Sequence, residues 1–305
     1  MILEVDLGGL KLSNPVMTAS GTSGHGTELS DFMDISKLGA FVTKGISLHH
    51  KEGNCPPRIC ETSSGMINAI GLENPGVENF LKNEFVKLQN VGCSVVINFY
   101  GKTKDEYIQL SEILGSLNGV DALEMNISCP NVDMGGLSFG TDPSFVQSLV
   151  KECRKKIKIP LIIKLAPLVT DIVSIATAAA NGGADSITCA NTWPATDIDV
   201  RTGKFKTSPG RGGLSGPAIL PLTLLKVYEL WQFFKGTFPI IASGGIFSGE
   251  DALKYIIAGA SAVQIGTATF QNPSASVKIL EEIMLLLEQL NVENINHLTG
   301  TVKLP

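Results

Sequence analysis

Eight short apolar runs, each followed by a longer amphipathic stretch, constrain the fold of this 305-residue chain more than any other feature. Runs rich in Val and Ile and apolar on both faces are typical of parallel strands covered by helices. Capping or acidic residues open several of the helical stretches between them: 105–117, 142–157, 170–181 and 248–258. The predicted strands are Val16–Ala19, Ala40–Lys44, Ser94–Asn98, Ala122–Asn126, Leu161–Leu165, Ser186–Ala190, Pro239–Ser243 and Ala262–Gly266.

Eight β–α units in a chain of this length predict an α/β fold of the (β/α)8 type, the TIM barrel. Residues 2–12 alternate around Gly8-Gly9, which predicts a short N-terminal β-hairpin that closes the bottom of the barrel. The alternative is a doubly wound open sheet, but the glycines of the turn at 21–26 lack the GxGxxG spacing that this fold requires. No linker interrupts the pattern, so we expect residues 1–305 to form a single domain.

Composition narrows the class of protein. The chain has 24 basic and 29 acidic residues and a pI of about 5.5, which argues against nucleic-acid binding. Its N-terminus lacks the features of a signal peptide, and no apolar run approaches the roughly 18 residues of a membrane span. Six scattered cysteines without a CxxC pair are typical of a reduced protein. We therefore expect a cytoplasmic protein that does not bind membranes.

Functional residues of such barrels lie in the loops after the carboxyl ends of the strands. Cys129 follows the fourth predicted strand, between Asn126 and Asn131. A thiolate there can act as a nucleophile or a general base, and the amides can hold a planar polar substrate. The alternative is a small buried cysteine in a turn. Three of the loops are long, as functional loops usually are: 45–75, 127–141 and 191–216.

Two lysines lie at the ends of predicted strands, Lys44 on the second and Lys164 on the fifth. An ammonium buried in an apolar run needs an anionic partner. The pair therefore predicts an anionic ligand inside the barrel mouth. The alternative is that both side chains extend to solvent at the mouth.

Glycines follow the last two strands, in Ser243-Gly244-Gly245-Ile246 and in Gly266-Thr267. Loops at these positions are the common phosphate site of the barrel fold, because exposed backbone N–H groups can approach an anion closely. We expect a side chain at Gly244, Gly245 or Gly266 to collide with the bound phosphate. The alternative is that the glycines only permit tight turns.

Further amides lie at the same edge of the predicted barrel. Asn98 ends the third strand, Asn191-Thr192 follow the sixth, and the loop 68–76 could close over a ligand. Together these groups describe a phosphorylated cofactor and, facing Cys129, a second planar and anionic ligand. FMN fits the first, because it combines a phosphate with a redox-active ring. The four histidines have no metal-binding spacing, so we expect no metal site.

The motifs, taken in order, resemble those of class 1 dihydroorotate dehydrogenases over nearly the whole chain, from Asn14 to Thr267. Those that carry the resemblance are Thr43-Lys44-Gly45, Asn68–Gly76, Asn126–Asn131, Gly213-Leu214-Ser215-Gly216-Pro217 and Ser243–Ile246. The strings Asn68–Gly76 and Gly135–Pro143 are most similar to the class 1B branch. That resemblance implies a catalytic subunit, built as a homodimer within a heterotetramer, whose partner subunit carries FAD and a 2Fe–2S cluster and reduces NAD.

The resemblance also implies a reaction, the FMN-dependent oxidation of dihydroorotate to orotate in de novo pyrimidine (UMP) biosynthesis. The implied catalytic residues are Cys129 and Lys44. Cys129 would take the C5 proton while hydride passes from C6 to FMN, under a lid formed by Pro130–Gly140, and Lys164 would stabilise charge on the reduced flavin. The implied substrate-binding residues are Lys44, Asn68, Gly71, Leu72, Asn126, Asn131, Asn191 and Thr192. The implied FMN-binding residues are Ala19, Ser20, Gly21, Lys44, Asn98, Asn126, Lys164, Gly216, Gly244, Gly245, Gly266 and Thr267.

Four positions depart from the family pattern: Ser23, Phe99-Tyr100, Cys189-Ala190 and Trp193-Pro194. We expect the last two of these to lie near the flavin or the substrate. Three alternatives stay open: an FMN-dependent oxidoreductase acting on another dihydropyrimidine, a class 1A enzyme that passes electrons to fumarate without a partner, and a flavin-binding barrel without turnover. The intact set of Cys129, Lys44 and Lys164 argues against the last.

Overall fold

Eight parallel strands close into a barrel in the computed structural model, which describes residues 1–26, 28–128 and 139–304. Each strand pairs with its neighbour in sequence, and the eighth pairs with the first. The TIM barrel predicted from the sequence is therefore confirmed, and the doubly wound alternative is wrong. Barrel strands one to eight are Val16–Thr18, Ala40–Val42, Ser94–Phe99, Ala122–Asn126, Leu161–Lys164, Ser186–Cys189, Ile240–Ser243 and Ala262–Ile265.

Every residue of barrel strands four to eight is buried. One face of each strand packs into the barrel interior and the other lies beneath the helices, which is why the runs are apolar throughout rather than alternating. The main helices around the barrel are Lys104–Leu114, Pro143–Arg154, Ile172–Asn181, Leu220–Phe234, Gly249–Ala258 and Ala275–Gln289, with a short one at Ala268–Gln271. After the second strand, Val77–Asn79 and Phe85–Leu88 flank a π-helical turn at Phe80–Glu84.

Side-chain caps fix where the helices begin. The side chains of Thr103, Asp142, Asp171 and Ser248 each accept a hydrogen bond from a backbone N–H of the first turn. The helix Ile172–Asn181 has Asp171 as its N-cap, so the predicted start at Thr170 is too early. The helices predicted over 105–117 and 142–157 end three residues earlier, at Leu114 and Arg154.

The N-terminal hairpin pairs Val5–Asp6 with Lys11–Leu12 and turns at Gly8 and Gly9, both with positive φ. Gly8 packs against the backbone of Asp185, immediately before barrel strand six. Leu7 and Leu10 are buried beside it. The hairpin therefore closes the bottom of the barrel, as the sequence predicted.

At the opposite end, the loops after barrel strands two and six form sheets of their own, which the sequence analysis did not predict. A four-stranded antiparallel sheet has the order Trp193–Ala195, Gly212–Ser215, Gly65–Asn68, Ile59–Thr62. A second hairpin pairs Ile198–Asp199 with Lys204–Phe205.

Short 3-10 turns lie at Ile35–Lys37, Phe139–Thr141, Pro217–Ile219 and Ile295–Leu298. Among the described residues, no helix is long and apolar enough to cross a membrane.

We predict that Gly8→Ala destabilises the protein much more than Gly203→Ala. Both glycines have positive φ, but a Cβ at Gly8 would overlap the Asp185 carbonyl, whereas one at Gly203 would meet nothing within 4 Å. Conformational strain alone costs about 1 kcal/mol, and overlap in a packed site raises the loss at Gly8 to about 3 kcal/mol. Urea denaturation of the two variants measures the difference. Equal losses would show that the hairpin does not pack tightly on the barrel bottom.

Candidate active site

A cavity of about 840 Å³ opens at the carboxyl ends of the barrel strands. Residues at or near the carboxyl ends of all eight strands contribute to its wall, and the four-stranded sheet over the mouth forms one side. This is the end of a TIM barrel at which catalytic residues are found. A cavity of this size can enclose most of a cofactor with a small substrate beside it.

All but one of the predicted site residues that the structure describes line this cavity. They are Ala19, Ser20, Gly21, Lys44, Asn68, Gly71, Leu72, Asn98, Asn126, Lys164, Asn191, Thr192, Gly244, Gly245, Gly266 and Thr267. The exception is Gly216, which packs against Gly65 of the overlying sheet and approaches Gly245 through its carbonyl oxygen. Cys129, Asn131 and most of the lid predicted over 130–140, residues 130–138, lie outside the described residues.

Lys164 lies at the floor of the cavity and is only 5 % exposed. Its Nζ donates a hydrogen bond of 3.1 Å to Oε1 of Gln264, and Oε1 of Glu124 lies 3.7 Å away. The expected anionic partner of this lysine is therefore a carboxylate of the protein, and the side chain does not extend to solvent. Sequence reasoning had assigned that partner to a ligand and missed Glu124 and Gln264. A charged residue within the apolar run Ala122–Asn126 was the available signal.

Lys44 differs from Lys164. Its side chain is half-buried and lines the cavity, while its backbone N–H donates to the carbonyl of Gly24. Its ammonium forms no ion pair with any residue that the structure describes. The same holds for the exposed Arg211, a cavity residue that sequence reasoning missed. The cavity therefore presents positive charge that described protein carboxylates do not neutralise, which favours an anionic ligand.

Two of the predicted amides are joined directly. Asn191 Nδ2 donates to Asn126 Oδ1 at 3.2 Å and to Ser128 Oγ at 2.5 Å. Ser128 Oγ in turn donates to Asn126 Oδ1 at 2.6 Å. These contacts join the ends of barrel strands four and six above strand five. They fix the amides in the wall of the cavity, immediately before Cys129 in the sequence.

The glycine turn after barrel strand seven is required by packing within the protein. A Cβ at Gly245 would lie 2.7 Å from Cβ of Leu220, and one at Gly244 would lie 2.8 Å from Oγ1 of Thr223. At Gly266 a Cβ would meet only ordinary contacts, the nearest at 3.4 Å. Packing within the protein therefore already excludes side chains at Gly244 and Gly245, while the expected collision of a side chain with a bound phosphate stays a prediction. The backbone of the turn nevertheless faces the cavity, where its N–H groups can meet an anion.

Tyr100, one of the departures from the family pattern, supports a loop of the site from below. Its hydroxyl donates to the carbonyl of Leu72 at 2.8 Å and accepts from Nδ2 of Asn74 at 2.8 Å. Leu72 has a φ of 60°, which is unusual for a residue with a side chain. The buried Tyr100–Asn74 pair therefore holds Leu72 in the conformation in which it lines the cavity.

The other departures lie mostly behind the cavity wall. Cys189 is fully buried, and burial raises the pKa of its thiol to about 12. The indole N–H of Trp193 donates to Oγ1 of Thr223 at 3.2 Å. Only the second residue of each pair, Ala190 and Pro194, lines the cavity. Ser23 is buried and does not line the cavity.

The fold and the site define a barrel enzyme whose mouth is lined by amides, glycines and the positive charges of Lys44 and Arg211. The profile of the family described as dihydroorotate dehydrogenase matches residues 2–287. The chain is 47% identical over 302 residues to "Dihydroorotate dehydrogenase B (NAD(+)), catalytic subunit" of Thermodesulfovibrio yellowstonii, covering 99% of both chains. It is 46% identical over 304 residues to the protein of the same name from Caldicellulosiruptor bescii, covering 100% of both.

The chain belongs to the dihydroorotate dehydrogenase family. It is therefore a flavin-dependent oxidoreductase that converts dihydroorotate to orotate in pyrimidine biosynthesis. The roles assigned above to individual site residues remain predictions.

We predict that Tyr100→Phe lowers the free energy of unfolding by about 1 kcal/mol, because it removes one of the two hydrogen bonds to the part-buried carbonyl of Leu72, the other coming from Nδ2 of Asn74. Tyr228→Phe is the matched control, since this partly buried tyrosine has no hydroxyl hydrogen bond within the described part of the chain. Thermal unfolding of both variants measures the effect. An equal response of the two would show that the Tyr100 hydroxyl does not stabilise the loop.

Proposed function

We propose that this chain is the catalytic subunit of a B-type dihydroorotate dehydrogenase and that its flavin is FMN. One observation carries the proposal: a single cavity contains the glycine turn after barrel strand seven, the joined amides Asn126 and Asn191, and the ammonium of Lys44, which has no ion-pair partner in the described part of the chain. These are the groups needed for a phosphate, a substrate carboxylate and a planar amide-containing ring.

The residues present fit FMN. The backbone of Gly244-Gly245 and of Gly266-Thr267 would hold the phosphate end, and Gly216 would support that turn from behind. The ring and ribityl chain would contact residues 19–21, Asn98 and Lys164. Bound FMN supplies the acceptor for the hydride that leaves C6 of dihydroorotate.

Substrate would bind between Lys44 and the overlying sheet. The ammonium of Lys44 would pair with the substrate carboxylate, because it has no carboxylate partner among the described residues. Asn68, whose Nδ2 donates to the carbonyl of Gly213 at 3.2 Å, would present its carbonyl oxygen to a ring N–H. Gly71, Leu72, Asn131 and Thr192 would complete this pocket together with Asn126 and Asn191.

Cys129 would be the base. It follows Ser128, which lines the cavity, directly in the sequence. Its thiolate would take the proton from C5, becoming a thiol, while the C6 hydrogen leaves with its electron pair, and a C5–C6 double bond forms. Residues 130–140 would act as the lid that excludes water from this proton transfer.

Electrons would leave through a second subunit that carries FAD and a 2Fe–2S cluster and reduces NAD. The names of the relatives from Thermodesulfovibrio yellowstonii and Caldicellulosiruptor bescii support this, since both specify NAD and a catalytic subunit. We infer a cytoplasmic heterotetramer built on a homodimer of this chain, each copy a single domain over residues 1–305.

A relative from Aquifex aeolicus, 44% identical over 300 residues and covering 98% of both chains, carries a provisional name of the A (fumarate) type. Fumarate is therefore the second candidate acceptor.

We predict that the purified chain is yellow and that dihydroorotate bleaches it under anaerobic conditions. The expected result is loss of flavin absorbance with formation of one orotate per flavin, while dihydrouracil, which lacks the carboxylate, reacts far more slowly. Stopped-flow absorbance and analysis of the released flavin measure both points. Flavin that dihydroorotate leaves oxidised would overturn the proposed substrate, and release of FAD instead of FMN would overturn the cofactor.

The same reduced sample distinguishes the electron acceptors. Reoxidation by fumarate at a rate that sustains turnover would assign the chain to the A type. Reoxidation by NAD only in the presence of a co-purifying, iron-containing subunit would support the B type.

We predict that Cys129→Ala retains FMN but slows its anaerobic reduction by about 10²- to 10⁴-fold, the range for loss of a general base. Cys93→Ala is the control, because Cys93 lies outside the cavity and burial raises the pKa of its thiol to about 11. Stopped-flow reduction of the two FMN-loaded variants gives the comparison. A wild-type rate in Cys129→Ala would show that another group takes the C5 proton.

A further inference from the structure

A fully buried carboxylate lies at the centre of the barrel, one layer below the cavity. Glu124 has 0 % exposure and does not line the cavity. Its Oε1 accepts a hydrogen bond of 2.7 Å from Nδ2 of Asn98. Its Oε2 accepts from Oγ1 of Thr188 at 2.6 Å and from Nε2 of Gln264 at 2.5 Å. A buried charge is tolerated only when its hydrogen bonds and its charge are satisfied in this way.

The groups around Glu124 come from other strands of the barrel. Asn98 lies on strand three, Lys164 on strand five, Thr188 on strand six and Gln264 on strand eight. Three of these four, Asn98, Lys164 and Gln264, form part of the cavity floor. Glu124 therefore contacts the groups that would face a bound flavin without facing it itself.

Gln264 links the two charges. Its Nε2 donates to Glu124 while its Oε1 accepts from Nζ of Lys164 at 3.1 Å, so the carboxylate determines which end of the amide faces the lysine. Glu124 Oε1 itself lies 3.7 Å from Nζ, within ion-pair range. One N–H of the ammonium is used by Gln264, and its remaining N–H groups can point into the cavity.

We propose that Glu124 is a positioning residue for flavin reduction, which balances the charge of Lys164 and, through Gln264, aims its ammonium at the flavin. This inference rests on the proposed function, because it concerns the residues below the FMN site. With both charges present, the floor of the cavity is nearly neutral, and Lys164 acts as an oriented hydrogen-bond donor rather than as an isolated positive charge.

The proposal predicts opposite electrostatic effects for the two residues. Glu124→Gln leaves the floor with net positive charge, which favours the more negative, reduced flavin and raises the midpoint potential. Lys164→Met leaves a buried carboxylate without its cation, which lowers the potential and weakens FMN retention. Adding Glu124→Gln to Lys164→Met removes that uncompensated charge, so the double variant should bind FMN at least as tightly as Lys164→Met alone.

The test measures flavin midpoint potential and FMN dissociation constant for wild type, both single variants and the double variant. We expect at least a tenfold shift of the oxidised-to-reduced equilibrium in each single variant, about 30 mV for a two-electron couple, in opposite directions. Thr188→Val is the matched control. It removes one hydrogen bond to the same carboxylate but no charge, so its potential should stay near that of wild type.

Several outcomes would overturn the proposal. An unchanged or lowered midpoint potential in Glu124→Gln would contradict it. So would an FMN affinity in the double variant that falls by the product of the two single-variant losses, because Glu124 would then be a structural residue that acts independently of Lys164. If the single variant Glu124→Gln does not fold, the FMN affinities of Lys164→Met and of the double variant test the proposal instead. Circular dichroism confirms that both of these are folded. A wild-type chain without bound FMN would instead overturn the proposed function, so the two failures are distinguishable.

Discussion

Closure of the parallel barrel is the constraint on which the rest of the structure depends. Hydrogen bonding between barrel strands eight and one closes the ring that the pairings of successive strands build. Because all eight strands run in one direction, their carboxyl ends meet at a single rim. Residues as distant in sequence as Glu124 and Gln264 then lie within hydrogen-bond distance. The cavity and its polar groups are consequences of that closure.

Inside this ring the two lysines of the site have different surroundings, and the difference is electrostatic. Lys164 is buried and lies beside a carboxylate, so its charge is balanced before any ligand binds. Lys44 is half-buried at the cavity wall and has no such carboxylate in the described part of the chain. An anionic substrate can therefore supply the missing charge at Lys44. At Lys164 the useful property is the direction of the ammonium.

The loops above the rim are ordered by their own packing. The sheet formed by the loops after barrel strands two and six places Asn68 beside Gly213, and the buried Tyr100–Asn74 pair fixes Leu72. At Gly244 and Gly245 the beginning of the helix Leu220–Phe234 leaves no room for a side chain. The positions that a ligand would contact are thus set by contacts among protein groups, as expected for a preorganised site.

The sequence by itself determined the fold and most of the cavity wall. Continuous apolar runs such as the one in Ile240–Ser243 can be satisfied only by burial on both faces, and residues that end such strands must lie at one rim. Lys44, Asn98 and Gly244-Gly245 could be placed there for that reason. The sheet over the mouth could not be predicted, since its short strands, such as Gly212–Ser215, carry little apolar periodicity of their own.

Only the tertiary structure decided which polar groups are partners. The sequence indicated that Lys164 needs an anion, but it did not show that Glu124 supplies one, because that pairing depends on the register between barrel strands four and five. It showed Tyr100 as a departure from a pattern, whereas packing made it a support for Leu72. The physical reason is the same in both cases. Burial follows from the local pattern of residue types, but hydrogen-bond and ion-pair partners depend on distances between segments that the chain brings together only when the barrel closes.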